Sequence, residues 1–574
     1  MTVSGHDRDT DRQLRRVRTN QRTRRWASWL ALAAGALTMA SALTRPIHRR
    51  LEFLLEFLPF QALHIATGAT LFVGAALLIT ARGLRHGQWV AWVSTVSLLA
   101  VSLGLNLLKG LDAEVATVSA VVALWLLVSA NAFRVMPTRG QLVWSLKWGG
   151  LVGLVALVIP TAVSFLVRYE HQGETRHLAA HRLGRSHLIG RPTTIPTPLL
   201  IEFGVAVALL LLWWVLSRWR TANQPNQHEA DLETARHLLD TTGGDTLAYF
   251  ALRDDREWFF SGRSFVAYAV RGPVCLVSPD PVGPPEERFQ VWADFLEFAS
   301  DRGWGVAVLA GSSPWLEVYQ RSGLRAWYYG DEAIVDVPSF TLEGSANKGL
   351  RQAVNRVARA GVRVEFIDPA HASPALVESV LAMAGRSRQG EAERGFSMTL
   401  SRLFDPRDTG LLMAVAFDAE DRVLGFIQWT PATLLPGWSL DVMRRDTGDD
   451  VPNGLTDYLI VRTLEHIAPQ GAAGLGLNFA VMRRTLDDPP PGLKGKVSRY
   501  LLDLVARYSQ VGSLERFNAK YRPRWEPRYL VWGATDEVLT QALAMARAEG
   551  RLEFTRRRGG AASTASGDGP AESA

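Results

Sequence analysis

A carboxylate and a guanidinium follow an apolar run in the stretch GWSLDVMRRDTGDDVPNGLTD, residues 437–457. Asp441 and Arg444 fall near the end of a predicted strand, which a polar loop joins to a predicted helix. Folds of the α/β class keep much of their chemistry at the carboxyl ends of central strands. A carboxylate there can accept a proton or hold a cation, and a guanidinium can bind phosphate or an oxyanion.

The spacing of this pair sets a geometric condition. In a regular strand, residues three apart point to opposite faces of the sheet. Asp441 and Arg444 therefore converge only if the strand ends or bulges near Met443. The alternative is a strand end and turn whose charges simply face water.

Residues 483–529 interleave basic and aromatic side chains. Basic groups neutralise phosphates, and aromatic faces stack on unpaired bases or rest in a lipid interface. A single-stranded RNA end and an anionic lipid surface both suit such a stretch, although some of the aromatic residues must belong to the core. The basic residues are Arg483, Arg484, Lys494, Lys496, Arg499, Arg507, Arg516, Lys520, Arg522, Arg524 and Arg528, and the aromatic ones are Tyr500, Tyr508, Phe517, Tyr521, Trp525 and Tyr529.

A predicted helix at 348–360 has one basic face and one apolar face. From Lys348 to Arg363 the chain holds five basic residues and no acid, which favours an anion-binding role over a merely solvated surface. The basic face carries Lys348, Arg351, Asn355 and Arg359, and the apolar face carries Leu350, Val354 and Val357.

The charge of the chain divides into two parts. Residues 1–220 hold 24 Lys and Arg against 10 Asp and Glu, and residues 221–574 hold 39 against 46. The second part is therefore acidic, so general affinity for nucleic acid is not supported there and any polyanion site must be local. The one cysteine, Cys275, excludes an intramolecular disulfide, and no spacing of metal ligands stands out.

The N-terminal third predicts a polytopic α-helical membrane domain. Six apolar segments of about 18–23 residues are long enough to cross a hydrocarbon core of about 30 Å. Eight arginines between Arg8 and Arg25 precede the first segment and favour a cytoplasmic N-terminus. With six spans, the C-terminal part is then cytoplasmic as well. The predicted spans are 26–43, 61–81, 88–108, 113–133, 145–167 and 199–217.

Strands and helices alternate through the rest of the chain and predict two consecutive α/β units of similar layout. The hairpin LLMAVAFDAEDRVLGFIQW is a strong local signal in the second unit. The predicted organisation is a basic N-terminus at 1–25, a membrane domain at 26–220, a linker at 221–230, a first unit at 231–340, a second, catalytic unit at 341–540 and a disordered tail at 557–574.

The order of these elements resembles the GNAT acyltransferase fold, here in tandem. In that fold, the junction at 437–457 would bind the phosphates of acyl-coenzyme A at a helix N-terminus. The usual Q/R-x-x-G-x-G/A signature is not evident in this stretch. Coenzyme A is therefore doubtful as the donor.

Several stretches resemble the phosphatidylglycerol aminoacyltransferases, that is, the lysyl-phosphatidylglycerol synthase (multiple peptide resistance factor) family. The resemblance covers about residues 230–535. It rests on YYGDEAIVDVPSF, KGLRQAVNR, SLDVMRR, PNGLTDYLI, LGLNFAVMRR and FNAKYRPRWEPRYLVW.

This resemblance implies a multi-pass protein of the cell membrane with a cytoplasmic catalytic domain. Such an enzyme moves an aminoacyl group from aminoacyl-tRNA to phosphatidylglycerol. The product lowers the negative charge of the membrane surface and gives resistance to cationic antimicrobial peptides. No metal or cofactor is implied. The amino acid, lipid flipping and assembly into a homo-oligomer are left open, because larger relatives carry more membrane helices and some carry a fused lysyl-tRNA synthetase.

The resemblance also suggests roles for particular residues. We expect Asp441 to orient or deprotonate the lipid hydroxyl, or else to hold the ammonium of the amino acid. We expect Arg444 and Lys520 to contact phosphate or the oxyanion. Substrate-binding roles are expected for Asn453 and Asn478 on the aminoacyl group, Arg524 and Arg528 on the tRNA end, and the basic residues Lys348, Arg351 and Arg483.

Two rival functions fit parts of the same sequence. A Fem-like aminoacyltransferase for peptidoglycan precursors shares the tandem-GNAT arrangement and the tRNA donor, but the membrane part favours a lipid acceptor. A flippase or transporter with a regulatory cytoplasmic half is the other rival. The scarcity of charges inside the predicted spans counts against ion-coupled transport.

Overall fold

A sheet of eleven strands organises the part of the chain after residue 228. The computed structural model describes residues 5–43, 60–110, 113–136, 228–388, 399–481, 483, 511–533 and 538–548. The strands are β1 (Glu257–Ser261), β2 (Ser264–Arg271), β3 (Val274–Val277), β4 (Gly305–Ser312), β5 (Arg325–Asp336), β6 (Arg363–Ile367), β7 (Leu412–Phe417), β8 (Val423–Ala432), β9 (Gly437–Arg445), β10 (Gly474–Val481) and β11 (Arg524–Trp532).

Helices form the N-terminal part and cover the sheet. Four belong to the N-terminal third: α1 (Gly5–Leu43), α2 (Phe60–Arg85), α3 (Trp89–Gly110) and α4 (Ala113–Val128). The others are α5 (His228–Thr242), α6 (Arg288–Asp301), α7 (Leu316–Arg321), α8 (Lys348–Arg359), α9 (Pro374–Arg388), α10 (Leu455–Ile467), α11 (Val511–Ala519) and α12 (Val538–Ala548).

The first four helices include the first four predicted spans, and α4 ends five residues earlier than the predicted segment. Small and aliphatic residues of α1, α2 and α3 form their common core. No helix among the described residues is both long enough and apolar enough to span a membrane. The predicted spans 145–167 and 199–217 and the predicted tail lie outside the described residues.

The basic N-terminus is the first half of the long helix α1, and it packs against the sheet-bearing part of the chain. Leu14 and Val17 belong to the same core as Trp292 of α6. The side-chain amide of Gln13 donates to Asp294 and Glu297. The arginine-rich N-terminal segment is therefore a helix that packs against α6.

The alternation of strands and helices predicted in both units is confirmed. Apolar residues of α8 and α10 pack on one face of β7, β8 and β9, which we call the α10 face. Val380, Met383 and Ala384 of α9 pack on the opposite face, which we call the α9 face. The helical spacing of Leu350, Val354 and Val357 predicted a buried apolar face on α8, and all three side chains are buried.

The two predicted units share one continuous sheet. Its strand order is β1-β2-β3-β4-β11-β5-β10-β9-β8-β7-β6. The strand β11 comes from the end of the second unit, yet it lies between β4 and β5 of the first. The basic and aromatic pattern of this stretch did not predict its strand pairing, because the partner strands are about 200 residues away in the chain.

Candidate functional site

Two parallel strands separate in the middle of the sheet. The strands β9 and β10 pair only through Gly437–Ser439 and Gly474–Gly476. Asp441 and Asn478 then hold corresponding positions, each two residues beyond the last paired residue of its strand. Parallel strands that separate leave their facing edges free of ladder hydrogen bonds. The two sequence-predicted residues therefore lie on the two arms of one opening.

A bulge in β9 occurs at Asp441. Gln428 of β8 pairs with Val442, and Trp429 pairs with Leu440, so Asp441 is the extra residue. The bulge lies two residues earlier than the position considered in the sequence analysis. It turns Val442 towards the α9 face and Met443 towards the α10 face. Because side chains alternate along a strand, Arg444 then points to the α9 face. Asp441 lies on the same face, where it accepts a hydrogen bond from Gln428.

The carboxylate of Asp441 is buried and already oriented by two donors. The backbone N–H of Leu400 donates to Oδ1 at 2.8 Å, and the side-chain amide of Gln428 donates to Oδ2 at 2.7 Å. Arg444 is half-buried and donates to the carbonyl of Met443.

A buried polar cluster continues from Asp441 across the same face. At its centre is Gly476, where an added Cβ would lie 3.2 Å from Glu332 Oε1 and 3.2 Å from Ser439 Oγ. Both side chains are fully buried, and neither of these oxygens has a hydrogen-bond partner among the described atoms. A buried acceptor without a donor is costly and often marks the place of a ligand or water. We call this row the polar seam: Asp441, Ser439, Glu332, Arg528, Asp245 and Asp280.

Arg528 is the cation of the polar seam. Its guanidinium donates to Glu332 at 2.6 and 3.0 Å and to Asp245 at 2.7 Å. Although burial by itself lowers the pKa of Arg528, the charges of these carboxylates more than offset this and raise it. A guanidinium so enclosed has no surface for a nucleic acid, which corrects the predicted contact of Arg528 with the tRNA end.

Asp280 fills the equivalent opening of the first unit. Its carboxylate accepts a hydrogen bond from the hydroxyl of Tyr319 at 2.5 Å and another from the backbone N–H of Ser312 at 2.7 Å. Burial raises the pKa of Asp280 to about 6, and the charge of Asp245 adds to this rise. Since protein groups close this opening, the opening between β9 and β10 is the better candidate for substrate.

The polar seam contains four carboxyl groups and one guanidinium. The carboxyl groups are those of Asp441, Glu332, Asp245 and Asp280, and Arg528 is the one basic member. Burial raises the pKa of Glu332, as expected for a carboxyl group taken out of water. A cation bound here would offset the surplus negative charge, so the seam suits an ammonium group.

Lys520 lies apart from Asp441, on the α10 face. Its ammonium contacts the carboxylate of Asp457 at 3.0 and 3.2 Å, and the hydroxyl of Tyr521 donates to the same carboxylate at 2.6 Å. Burial and then the charge of Asp457 raise the pKa of Tyr521. The structure therefore does not bring Lys520 together with Asp441 and Arg444, because the sheet lies between them.

The other predicted residues are dispersed. Asn453 is exposed, and its carbonyl accepts from Arg356 of α8. Arg351 donates to the carbonyls of Leu342 and Gly344.

Three further basic residues were predicted to bind substrate. Lys348 is exposed at the start of α8. Arg483 pairs with buried Asp331 and lies over the ring of Trp525. Arg524 forms an exposed pair with Glu526.

Ser439, Glu332, Asp245 and Asp280 were missed from the sequence. Glu332 and Ser439 lie in stretches that carry the family resemblance, but the residue types and their spacing gave no reason to single them out. Their segments are distant in the chain: β10 brings Ser439 beside Glu332, and β11 carries the Arg528 that joins Glu332 to Asp245. Among the described residues, no group of three or more His, Cys, Asp or Glu residues could hold a metal ion.

Comparison with known proteins identifies the family. The family described as "Phosphatidylglycerol lysyltransferase, C-terminal" matches residues 236–532. The chain is 34% identical over 495 residues to the lysylphosphatidylglycerol biosynthesis bifunctional protein LysX of Nocardia farcinica, covering 83% of this chain and 43% of that one. It is 36% identical over 376 residues to the LysX protein of Mycobacterium ulcerans, covering 64% and 34%. The chain thus spans less than half the length of these relatives.

Two solved structures also align with the chain. The structure of L-PGS from Bacillus licheniformis is 22% identical, with a TM-score of 0.49, and covers 58% of this chain and 99% of that one. The C-terminal domain of a putative lysylphosphatidylglycerol synthetase from Agrobacterium fabrum is 25% identical, with a TM-score of 0.49, and covers 57% and 98%. Because the family match takes in more than half of its residues, the chain belongs to the phosphatidylglycerol lysyltransferase family.

Proposed function

We propose that this protein transfers an aminoacyl group from aminoacyl-tRNA to a glycerol hydroxyl of phosphatidylglycerol. The names of its relatives refer to the synthesis of lysylphosphatidylglycerol, which supports this reaction class. The observation that carries the proposal is the buried carboxylate of Asp441 on one arm of the opening between β9 and β10. Aminoacyl transfer needs such a group to orient an alcohol or to hold an ammonium.

In the reaction, the lipid hydroxyl oxygen forms a new ester bond to the aminoacyl carbonyl carbon. The bond from that carbon to the tRNA ribose oxygen breaks, and the hydroxyl proton ends on the ribose oxygen. Asp441, which Leu400 and Gln428 hold in place, accepts the hydrogen bond of the lipid hydroxyl. This places the lipid oxygen for attack and favours loss of its proton.

The polar seam offers acceptors for the α-ammonium of the amino acid. Glu332 Oε1 and Ser439 Oγ are buried acceptors without a partner among the described atoms, and both lie beside Gly476. The surplus of carboxylates there favours a cation electrostatically. Arg444 supplies the positive charge for the lipid phosphate or the developing oxyanion.

We further propose that the helices before residue 220 anchor the protein in the cell membrane, with the sheet on the cytoplasmic side. The six apolar segments of the sequence and the arginine-rich start of α1 support this. A membrane-held enzyme meets its lipid substrate at the surface, while tRNA arrives from the cytoplasm. The product would reduce the negative charge of the membrane and with it the attraction of cationic peptides.

The test uses the full chain in phosphatidylglycerol nanodiscs with tRNAs charged with radiolabelled amino acids. Label should move into a lipid that migrates as aminoacyl-phosphatidylglycerol, and the tRNA that supplies it identifies the amino acid. Nanodiscs of phosphatidylcholine should give none. Label in a peptidoglycan precursor, or no transfer from any charged tRNA, would overturn the proposal.

A further inference from the structure

A cavity of about 330 Å³ lies where the N-terminal helices meet the sheet-bearing part of the chain. It is far from the opening between β9 and β10, because its sheet residues are Pro273 and Val274 at the start of β3. This volume is at the lower end of the range for small-molecule sites. Its lining comes from α1, α2 and α12 as well as from the start of β3.

The charged residues of the lining all carry positive charge. They are Arg82 and Arg85, and none of the lining residues is acidic. A smaller adjoining cavity shares Arg85 and His86 and adds Arg25, again with no acidic residue in its lining. Arg24 also lines it, but its guanidinium already donates to the carbonyls of Ala132 and Ser300. Arginine guanidinium groups bind phosphate oxygens through parallel hydrogen bonds. The junction therefore suits a phosphate or a phosphodiester.

The apolar part of the lining points to the rest of the ligand. Leu32, Leu78 and Ala81 come from α1 and α2, within the predicted spans 26–43 and 61–81. Arg82 follows the second of these spans directly. With the membrane anchoring proposed above, the basic end of the cavity would lie at the level of the lipid headgroups, and its apolar wall would face the hydrocarbon side.

We propose that this cavity binds the headgroup of an anionic phospholipid, separately from the transfer site. The identification of that lipid as phosphatidylglycerol rests on the proposed function. Arginines in the last turn of a helix also interact well with the helix dipole, so Arg82 and Arg85 have a structural explanation as well. That explanation alone does not account for an apolar wall and a carboxylate-free lining at one place.

The experiment maps the lipid directly. The full chain is placed in nanodiscs containing phosphatidylglycerol with a photoreactive headgroup, and labelled peptides are identified by mass spectrometry. We expect label on peptides containing Arg82–His86 and Thr540–Met545. Unlabelled phosphatidylglycerol should compete, phosphatidylcholine should not, and inorganic phosphate should compete only at far higher concentration.

Two kinds of variant test the site. The double variant Arg82→Gln with Arg85→Gln should reduce this label roughly tenfold or more, since it removes both charge-assisted contacts to the phosphate. Thr540→Trp, at an exposed position of the lining, should narrow the cavity and reduce the label without removing a charge. Arg12→Gln is the matched control, because Arg12 is exposed and pairs with Asp9.

Unchanged label in both cavity variants, equal competition by phosphatidylcholine, or competition by inorganic phosphate as strong as by lipid would each overturn the lipid site. The proposed function is tested apart from this by transfer from charged tRNA. Mapped label without any transfer would leave the lipid site standing and remove the proposed reaction. Transfer without label at these peptides would leave the proposed reaction standing and remove the lipid site.

Discussion

Gln428 donates its side-chain amide to the carboxylate of Asp441 at 2.7 Å, across a bulge that sets an extra residue of β9 against β8. The bulge places Asp441 and Arg444 on one face of the sheet, which the regular spacing of a strand would not do. The amide fixes one carboxylate oxygen, and the N–H of Leu400 fixes the other. Asp441 is thus held before substrate arrives, as a catalytic group requires.

Asp441→Asn should reduce aminoacyl-lipid formation by at least about a hundredfold, the usual contribution of a general base. The fold should survive, because Gln428 can turn its amide and offer Oε1, which has no partner among the described atoms, to the new amide. The measurement is transfer from charged tRNA to phosphatidylglycerol, with the melting temperature as a check. Asp421→Asn is the control, since Asp421 is an exposed turn residue at φ 64°, which Asn tolerates. Normal transfer by a folded Asp441→Asn variant would remove this residue from the site.

Glu332→Gln should lower the free energy of unfolding by about 3–5 kcal/mol, because it leaves the buried guanidinium of Arg528 with half its compensation. Thermal unfolding of the full chain, followed by tryptophan fluorescence, measures the change. Glu526→Gln is the matched control on β11, where an exposed pair with Arg524 contributes less than about 1 kcal/mol. Equal melting temperatures for the two variants would contradict the buried pairing.

Asp280 should make stability depend on pH in a defined direction. Its folded-state pKa is about 6, above the ordinary value of 3.8, so the folded protein binds a proton that the unfolded chain has lost between these values. Stability should therefore fall as pH rises from about 4 to 6, by an amount on the order of 2–3 kcal/mol. Asp280→Asn should lack this fall. The difference in melting temperature between wild type and variant, measured at pH 4.5 and pH 7, checks the sign. A difference that does not change with pH would contradict it.

Gly454→Ala should destabilise the start of α10 through two effects. Gly454 has a φ of 99°, and an added Cβ would lie 2.9 Å from the Cβ of Ala353 on α8. We expect a loss of about 1–3 kcal/mol. Gly471→Ala is the control for conformation alone, since Gly471 has a φ of 81° and open space around its Cβ position. Adding Ala353→Gly to Gly454→Ala should restore part of the lost stability. No restoration would show that the steric contact is unimportant.

Local sequence patterns were sufficient to predict strands and helices in the sheet-bearing part of the chain. Period-two alternation predicted β7 and β8 and their turn, and the helical spacing of Leu350, Val354 and Val357 predicted the buried face of α8. These signals are local because a side chain's direction follows from its position in a strand or helix turn. The sequence also singled out Asp441, since a carboxylate at the end of an apolar strand is unusual in itself.

The sequence by itself determined the alternating α/β elements, the basic and acidic halves, and the family. Tertiary structure alone decided that β11 inserts between β4 and β5, and so that Arg528 is a buried partner of Glu332 rather than a contact for tRNA. It also decided that a bulge at Asp441 aligns Asp441 with Arg444, while the sheet separates both from Lys520. The physical reason is that strand pairing and bulges depend on hydrogen bonds between distant segments, and no local spacing encodes those partners.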